Sequence, residues 1–334
     1  DTALRAVFDN GLRCCGVGRH RSGFDELDRN HCAAPANITN DAALLLQRHE
    51  TWHDDRFNVL SSRGQVRFTQ GTNCGKRSRG GDGVHYLGNP GAVTRAQQGA
   101  DVAAINALNR QHDVFVRDPE IATRIAQYEL AFQMQASVPE LMDLRGEDAK
   151  TLELYGCTPG DGSFAANCLL ARRMAERGVR FIQLYSGGGH IEDTWDGHND
   201  CIGNHRLHAA ETDRPIAALM ADLKRTGLWD ETLLIWGGEF GRTPMVQGGN
   251  DGRDHHPNCF STWFAGGGVK PGLTLGGSDE FGFHATTDKV HVHDLHATLL
   301  HLLGFDHEKL IYRDQGRDFR LTDVHGHVVE KLLA

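Results

Sequence analysis

The sequence predicts an α/β fold, a three-layer α/β/α sandwich with a mainly parallel sheet. Apolar strand patterns alternate with helical patterns through the second half of the 334-residue chain. Two of these strands end in glycine-rich loops, SGGGH and GGEFGRTP. Strands that alternate with helices at this spacing indicate a parallel sheet that is covered on both faces.

The same pattern predicts the domain organisation. Regular periodicity begins near residue 84, and no repeat or low-complexity linker interrupts it afterwards. We therefore expect residues 84–334 to form one domain. Residues 1–83 are predicted to be an irregular or divergent N-terminal segment, in which ALLLQRHETWHDD (43–55) is the best helix candidate.

Two helices open the regular part of the chain. Thr94 is placed to begin the first helix, which carries Val102, Ile105 and Leu108 on one face. Pro119 suits the first turn of the second helix, PEIATRIAQYELAFQMQASV. An amphipathic pair of this kind is expected to pack against a core.

Strands and helices then alternate in the order that the fold class requires. The helix SFAANCLLARRMAERG leads to the strand VRFIQLY, and the helix AAETDRPIAALMADLKRTGL leads to the strand TLLIW. CFSTWFAGG follows as another strand, and HDLHATLLHLLGF follows as a helix with a core face of leucines. His325 and His327 are expected in a final hairpin or turn.

Composition excludes several classes of protein. The net charge of -9 argues against a general affinity for nucleic acid, because nucleic-acid-binding proteins usually carry a basic face. No apolar run approaches the roughly eighteen residues of a membrane span. The eight cysteines contain no CxxC pair, so a zinc ribbon or a thioredoxin-like site is not expected.

Two polar clusters follow the strands VRFIQLY and TLLIW. Ligands of open α/β sheets bind beyond the carboxyl ends of the strands, so both clusters are placed to share one site. The first cluster holds His190, Glu192, Asp193, Asp196, His198, Asp200 and His205. The second holds Glu239, Arg242, Arg253, Asp254, His255 and His256.

This mixture of carboxylates and imidazoles predicts a divalent metal ion. It suits zinc, manganese or iron better than an all-oxygen calcium cage, and we leave the identity open among these four. Arg242 or Arg253 is predicted to bind a tetrahedral anion through a bidentate guanidinium. Taken alone, WDGH (195–198) fits a polar surface loop as well as a metal site, and its pairing with GGEFGR and RDHHP favours the metal.

Other motifs are given weaker interpretations. HVHDLHATLLHLLGFDH contains five histidines, but its leucines favour a core helix, and His293 or Asp294 is expected to cap the start of that helix. His291, His293 and His296 stay candidates for a contact with the metal site or its ligands. No GxSxG motif is present, so a serine hydrolase of that type is not supported.

Six long or distinctive motifs occur in order along the second part of the chain: FAANCLLARRMAERGVRFIQLY, WDGH, ETLLIWGGEFGRTP, GRDHHP, AGGGVKPG and QGRDFRLTDVHG. In these motifs and their order, residues 84–334 resemble the domain-of-unknown-function 1501 family (DUF1501). The resemblance implies an alkaline phosphatase-like fold, because that family is placed with sulfatases in the alkaline phosphatase superfamily. By analogy, Glu239 stands where the superfamily has a metal-binding Asp, and His255 or His256 stands near its late metal-binding His. Asp196 and His198 match the family's WDxH motif.

The leading hypothesis is a metal-dependent hydrolase that acts on a sulfate or phosphate ester of a small molecule or glycan. The family's N-terminal Asp-bearing loop and nucleophile segment are not recognisable in residues 1–80, so the nucleophile is not assigned. The resemblance implies a periplasmic or otherwise exported protein, although the chain shows no signal-peptide pattern. The alternatives are a non-catalytic binding or scaffold protein and a purely structural protein with surface histidines. The predicted metal ligands are Asp196, His198, Glu239, Asp254, His255 and His256.

Overall fold

A five-stranded mixed sheet lies at the centre of the computed structural model. The structure describes residues 89, 91, 93–186 and 195–334, together with two earlier strands, β1 (Ala42–Arg48) and β2 (Val66–Thr69). The other strands of the sheet are β3 (Phe181–Ser186), β4 (Thr232–Gly237) and β7 (Trp263–Gly266), and the spatial order is β2-β3-β1-β4-β7.

The prediction of a mainly parallel sheet is wrong. Among the described strands of this sheet, β2 pairs with β3 in parallel, whereas β1–β3, β1–β4 and β4–β7 are antiparallel. The physical reason is β1, which runs between β3 and β4 and opposite to both. The alkaline phosphatase-like α/β/α sandwich expected from the sequence is therefore not the observed architecture.

The prediction of a helix over residues 43–55 is also wrong in the part of this range that the structure describes. Its first part belongs to strand β1, where Ala43 lies opposite Tyr185 on one side and Gly237 on the other. Residues 49–55 lie outside the described residues. Strands β1 and β2 come from the segment 1–83 and pair with strands of the segment 84–334.

Six helices surround or extend from the sheet in the described part of the chain. They are α1 (Arg95–Val116), α2 (Pro119–Met142), α3 (Ala149–Tyr155), α4 (Phe164–Glu176), α5 (Cys201–Arg225) and α6 (Val292–Leu302). Short 3-10 turns lie at Leu144–Gly146, Trp229–Glu231 and Glu330–Leu332. None of the described helices combines the length and the apolarity that crossing a membrane requires.

Helix α1 begins where the sequence predicted, but its expected core face is not buried. Thr94 caps the helix through a capping box with Gln97, which satisfies free backbone amides of the first turn. Leu108 is 66% exposed, and the buried residue of the helix is Asn106. Asn106 Nδ2 donates to Glu129 Oε1 of α2 at 3.2 Å, so a polar contact joins the two helices at this point.

Strand β4 is buried on both sides. Leu234 belongs to the larger hydrophobic core, which contains Leu169 of α4 and Leu219 of α5. Leu233 and Ile235 belong to a second apolar cluster, which contains Leu299 of α6. This packing on both faces fixes the position of β4, and with it the start of the loop that follows the strand.

Three two-stranded antiparallel sheets complete the described strands. The first joins β5 (Gly241–Val246) to β6 (Arg253–His256), directly after β4. The second joins β8 (Gly277–Ser278) to β9 (Ala285–Thr287). The third joins β10 (Ile311–Asp314) to β11 (Arg317–Arg320).

Candidate metal centre

The WDGH turn is anchored at the ends of two central strands. Strand β1 separates β3 from β4, but both strands run in the same direction, so their carboxyl ends lie at the same edge of the sheet. The indole Nε1 of Trp195 donates to Ser186 Oγ at the end of β3, at 3.1 Å. The same ring packs edge-on against Trp236 of β4, with 5.6 Å between ring centroids. Residues that follow Trp195 are thereby held beside this edge.

The β5–β6 hairpin is locked against that turn. The backbone amide of Arg253 donates to the carbonyl of Gly197 at 3.0 Å. Gly252 lies so close to His198 that a Cβ at position 252 would collide with the His198 carbonyl. Glycine is required here because of this close approach of two backbones.

Asp196 is the centre of the candidate site. Its side chain is 3% exposed, and its Oδ1 lies 2.9 Å from His198 Nε2 and 3.5 Å from His255 Nε2. Arg242 Nη1 lies 2.7 Å from the same oxygen. Arg242 and His255 are opposite each other in the hairpin, so a single cross-strand pair supplies two of the three groups around Asp196.

The two imidazoles also contact each other and a third polar side chain. His198 Nε2 and His255 Nε2 lie 3.2 Å apart, and the ring centroids lie 4.9 Å apart. On its other side, His198 Nδ1 lies 2.6 Å from the amide oxygen of Gln247. Gln247 follows β5 and was not anticipated from the sequence, because no motif or spacing distinguishes it from other polar loop residues.

The site opens on the side of His255. The His255 side chain is 40% exposed, whereas that of Arg242 is 15% exposed. The ring of Phe240 packs against His255 with 4.5 Å between centroids. A ligand that enters from solvent therefore meets His255 and Phe240 before it reaches Asp196.

Glu239 lies near Asp196, Arg242 and His255 and interacts with them through its charge. Although the residue is exposed overall, partial burial of the carboxyl raises its pKa, because burial disfavours the charged form. The negative charge of Asp196 acts in the same direction, and the positive groups Arg242 and His255 oppose it. Glu239 is thus electrostatically coupled to the site.

Three other predicted site residues have partners elsewhere. Asp254 Oδ1 accepts from the amide of His255 at 2.8 Å. His256 Nε2 donates to the Phe283 carbonyl at 2.6 Å. Arg253 donates to the Pro244 carbonyl at 2.6 Å and to Asp251 Oδ1 at 2.8 Å. These contacts stabilise the hairpin and its surroundings, and none of them involves Asp196.

The remaining candidates lie in the first loop and in helix α6. His190, Glu192 and Asp193 lie outside the described residues. Asp200 caps α5 by accepting from Gly203 N at 3.0 Å, and His205 Nε2 donates to the Trp195 carbonyl at 3.2 Å. The N-cap residue of α6 is His291, and Asp294, one of the two expected caps, completes the capping box by accepting from the His291 amide at 2.9 Å. His293 stacks on His291 with 4.9 Å between ring centroids.

Two nucleophilic side chains, Cys201 at the start of α5 and Thr243 of β5, are not activated. The pKa of Cys201 is raised, mainly because the thiol is partly buried, although Arg242 and Arg253 act in the opposite direction. A thiol with a raised pKa is a poor nucleophile at neutral pH. The hydroxyl of Thr243 donates to the Met245 carbonyl at 2.9 Å and accepts from Asp254 N at 3.1 Å, so it is committed to the hairpin.

The three donor atoms fit one small divalent ion. Among the described residues, the group of His, Cys, Asp or Glu whose donor atoms all lie within 4.8 Å of one another is Asp196, His198 and His255. Their separations of 2.9, 3.2 and 3.5 Å resemble a face of a coordination tetrahedron. Ligands at about 2.0–2.1 Å from zinc are about 3.3–3.4 Å apart in tetrahedral geometry.

Comparison with protein-family models gives a match over most of the chain. The family model described as "Protein of unknown function (DUF1501)" matches residues 66–333. Neither a curated protein nor a solved structure matches the chain. The matched range contains the WDGH turn and the whole β5–β6 hairpin.

Proposed function

Because the chain belongs to the DUF1501 family, whose function is unknown, we propose from its site that it is a metal-dependent hydrolase of sulfate or phosphate esters. Asp196, His198 and His255 are the proposed ligands of one divalent ion. The convergence of their three donor atoms within 4.8 Å is the observation that carries this proposal. Two imidazoles and one carboxylate are a common ligand set of catalytic zinc, which keeps its fourth position open for water or substrate.

The charges around Asp196 support the proposal. An aspartate with a 3% exposed side chain needs compensating positive charge, because a buried unpaired carboxylate is costly. Arg242 supplies one such charge at 2.7 Å. A divalent ion between Asp196, His198 and His255 would supply more positive charge. It would also relieve the repulsion between the lone pairs of these three donor atoms, which lie within 3.5 Å of one another.

The proposed chemistry assigns different work to the ion and to the protein. When bound, the ion would neutralise an ester oxyanion and lower the pKa of a bound water. Arg242 is placed to donate to a sulfate or phosphate oxygen next to that ion, since its guanidinium already reaches the ligand carboxylate. Glu239, whose pKa is raised by partial burial, is suited to hold or accept a proton at the rim of the site.

The proposed nucleophile is water. Cys201 is held as a thiol, and Thr243 is bonded within the hairpin, so neither supports a covalent intermediate. The same observation supports the second candidate, a non-catalytic member of the family that binds a metal and an anion. The relation to alkaline phosphatases and sulfatases, and with it an exported location, is supported by the sequence motifs alone and is part of the proposal.

The test combines metal analysis with ester hydrolysis. Purified protein is assayed with aryl phosphate and aryl sulfate esters before chelation, after chelation, and after zinc, manganese or iron is restored. We expect activity that is lost on chelation, restored by metal and absent from His255→Ala. His284→Ala, a change at an exposed histidine outside the site, is the matched control and is expected to keep activity.

Two other outcomes are informative. Metal binding at Asp196 and His255 without turnover of either ester would support the non-catalytic alternative. A protein that binds no metal, or whose hydrolysis survives both chelation and His255→Ala, would refute the proposed hydrolase.

A further inference from the structure

We propose that Gln247 is a positioning residue that prepares His198 to bind the metal ion through Nε2. The inference rests on the proposed metal site and deepens it. Gln247 does not contact Asp196 or His255 in the contacts that the structure shows. It acts on the far side of the His198 ring, where its amide oxygen lies 2.6 Å from Nδ1.

The contact with Gln247 determines which nitrogen carries the proton. An amide oxygen only accepts hydrogen bonds, so the Nδ1 atom that contacts it must be the donor. When the imidazole is neutral it carries a single proton, and Nε2 then has a free lone pair. The Nε2 atom lies 2.9 Å from Asp196 Oδ1 and 3.2 Å from His255 Nε2, where the ion would bind.

The other tautomer would close the site. With its proton on Nε2, His198 would donate to Asp196 Oδ1 at 2.9 Å, and this bond would occupy two of the three metal ligands at once. An ion would then have to break the bond and displace the proton before it could bind. By accepting a hydrogen bond from Nδ1, Gln247 stabilises the tautomer with a free Nε2 and disfavours the competing one before the metal binds.

The hairpin holds Gln247 in place for this role. The backbone amide of Gln247 donates to the Gly252 carbonyl at 2.8 Å and closes the loop between β5 and β6. Gly252 in turn lies directly against the His198 carbonyl. The histidine backbone and the acceptor for its ring are thus fixed by the same loop.

The experiment measures the tautomer of His198 and the affinity for zinc in the full chain. Imidazole nitrogen shifts, measured by NMR at a pH where His198 is neutral and without metal, report the tautomer directly. Gln247→Leu removes the acceptor, and Gln247→Glu keeps an acceptor oxygen at the same position. Met245→Leu changes a neighbouring, 63% exposed residue of the hairpin and serves as the control.

We expect wild-type protein, Gln247→Glu and Met245→Leu to carry the proton on Nδ1 of His198. Gln247→Leu is expected to move the proton to Nε2 and to bind zinc about 10–100-fold more weakly, the usual effect of losing a partner that orients a metal-bound histidine. Unfolding curves of the four proteins verify that the hairpin change leaves the fold intact.

Failure of this inference and failure of the proposed function give different results. A proton on Nε2 in the wild-type protein, or the same tautomer and zinc affinity in Gln247→Leu, would overturn the role of Gln247 and leave the metal site standing. Absence of zinc binding in the wild-type protein would overturn the metal site, whatever the tautomer is.

Discussion

His198 and His255 approach each other through their Nε2 atoms, which lie 3.2 Å apart beside the same oxygen of Asp196. Two imidazole nitrogens at this distance cannot both carry a proton directed at the other. Either a proton lies between one of these nitrogens and an acceptor, the other imidazole or Asp196 Oδ1, or both nitrogens present lone pairs to a cation. The second arrangement is the proposed metal site, which depends on the contacts of the hairpin, the turn and the core behind them.

The close approach of the hairpin to the WDGH turn predicts the effect of Gly252→Ala. The added Cβ would collide with the His198 carbonyl, so the hairpin and the turn must move apart. We expect a loss of about 1–3 kcal/mol in the free energy of unfolding, which is typical of overpacking, and weaker zinc binding. Gly248→Ala is the matched control, because a Cβ at that position meets nothing within 4 Å. Equal unfolding midpoints in denaturant for the two variants would show that this contact is unimportant.

The two arginines of the hairpin are predicted to have different roles. Arg242 contacts Asp196, whereas Arg253 donates to Pro244 and Asp251. Arg242→Gln should therefore weaken the binding of inorganic phosphate to the metal-loaded protein by about 10–100-fold, the usual value of a hydrogen bond to a charged group. Arg253→Gln should leave phosphate affinity nearly unchanged and lower stability. Titration calorimetry with phosphate compares them, and the reverse ranking would reassign the anion site to Arg253.

The core behind the site predicts a contrast within helix α5. Leu219 is fully buried between the helix and the sheet, and Leu207 of the same helix is 59% exposed. Leu219→Ala should lower the free energy of unfolding by about 2–5 kcal/mol, through lost burial and the cavity that remains. Leu207→Ala, the same chemical change at an exposed position, should cost less than about 0.5 kcal/mol. Similar losses in both variants, measured in urea, would contradict the packing described here.

The histidines of helix α6 predict a loss of stability in acid. Burial and the neighbouring His293 lower the pKa of His296, and burial and the neighbours His291 and His325 lower that of His293. The unfolded chain, in which histidine has a pKa of about 6.5, therefore binds these protons more readily than the folded chain does. Stability from these groups is complete above about pH 6.5 and is lost as the pH falls through that value toward the lowered pKa of the folded state.

A variant pair isolates this effect. The free energy of unfolding of His296→Gln should depend less on pH between about 5 and 8 than that of the wild-type protein, because one of the responsible groups no longer titrates. His301→Gln makes the same change at an exposed position of the same helix and should keep the wild-type slope. Parallel pH profiles for all three proteins would show that His296 does not contribute.

The sequence predicted local elements better than their arrangement. Thr94 caps its helix as its position indicated, and TLLIW forms a buried strand. The sequence did not identify AALLLQR as a strand, because a short apolar run fits a buried strand as well as a helix. Its insertion between β3 and β4 depends on pairing between distant parts of the chain, and this made the prediction of a mainly parallel sheet fail.

The site was predictable to the extent that its residues stand in motifs. WDGH and RDHHP supplied Asp196, His198 and His255, which the structure brings together. Sequence could not separate His255 from His256, since alternation along β6 sends neighbouring side chains to opposite faces and the register of the hairpin decides which one meets Asp196. Gln247 and Phe240 lie in loops without a periodic pattern, and only the folded hairpin reveals their contacts.

Equilibrium dialysis with zinc, applied to the wild-type protein and to Asp196→Asn, measures the stoichiometry and affinity of the proposed metal site. We predict one tightly bound ion per wild-type chain. In Asp196→Asn we predict binding that is weaker on the order of 100-fold, since the variant keeps the shape of the side chain and loses its charge. No zinc bound to the wild-type chain, or equal affinity in the two proteins, would contradict a metal site at Asp196, His198 and His255.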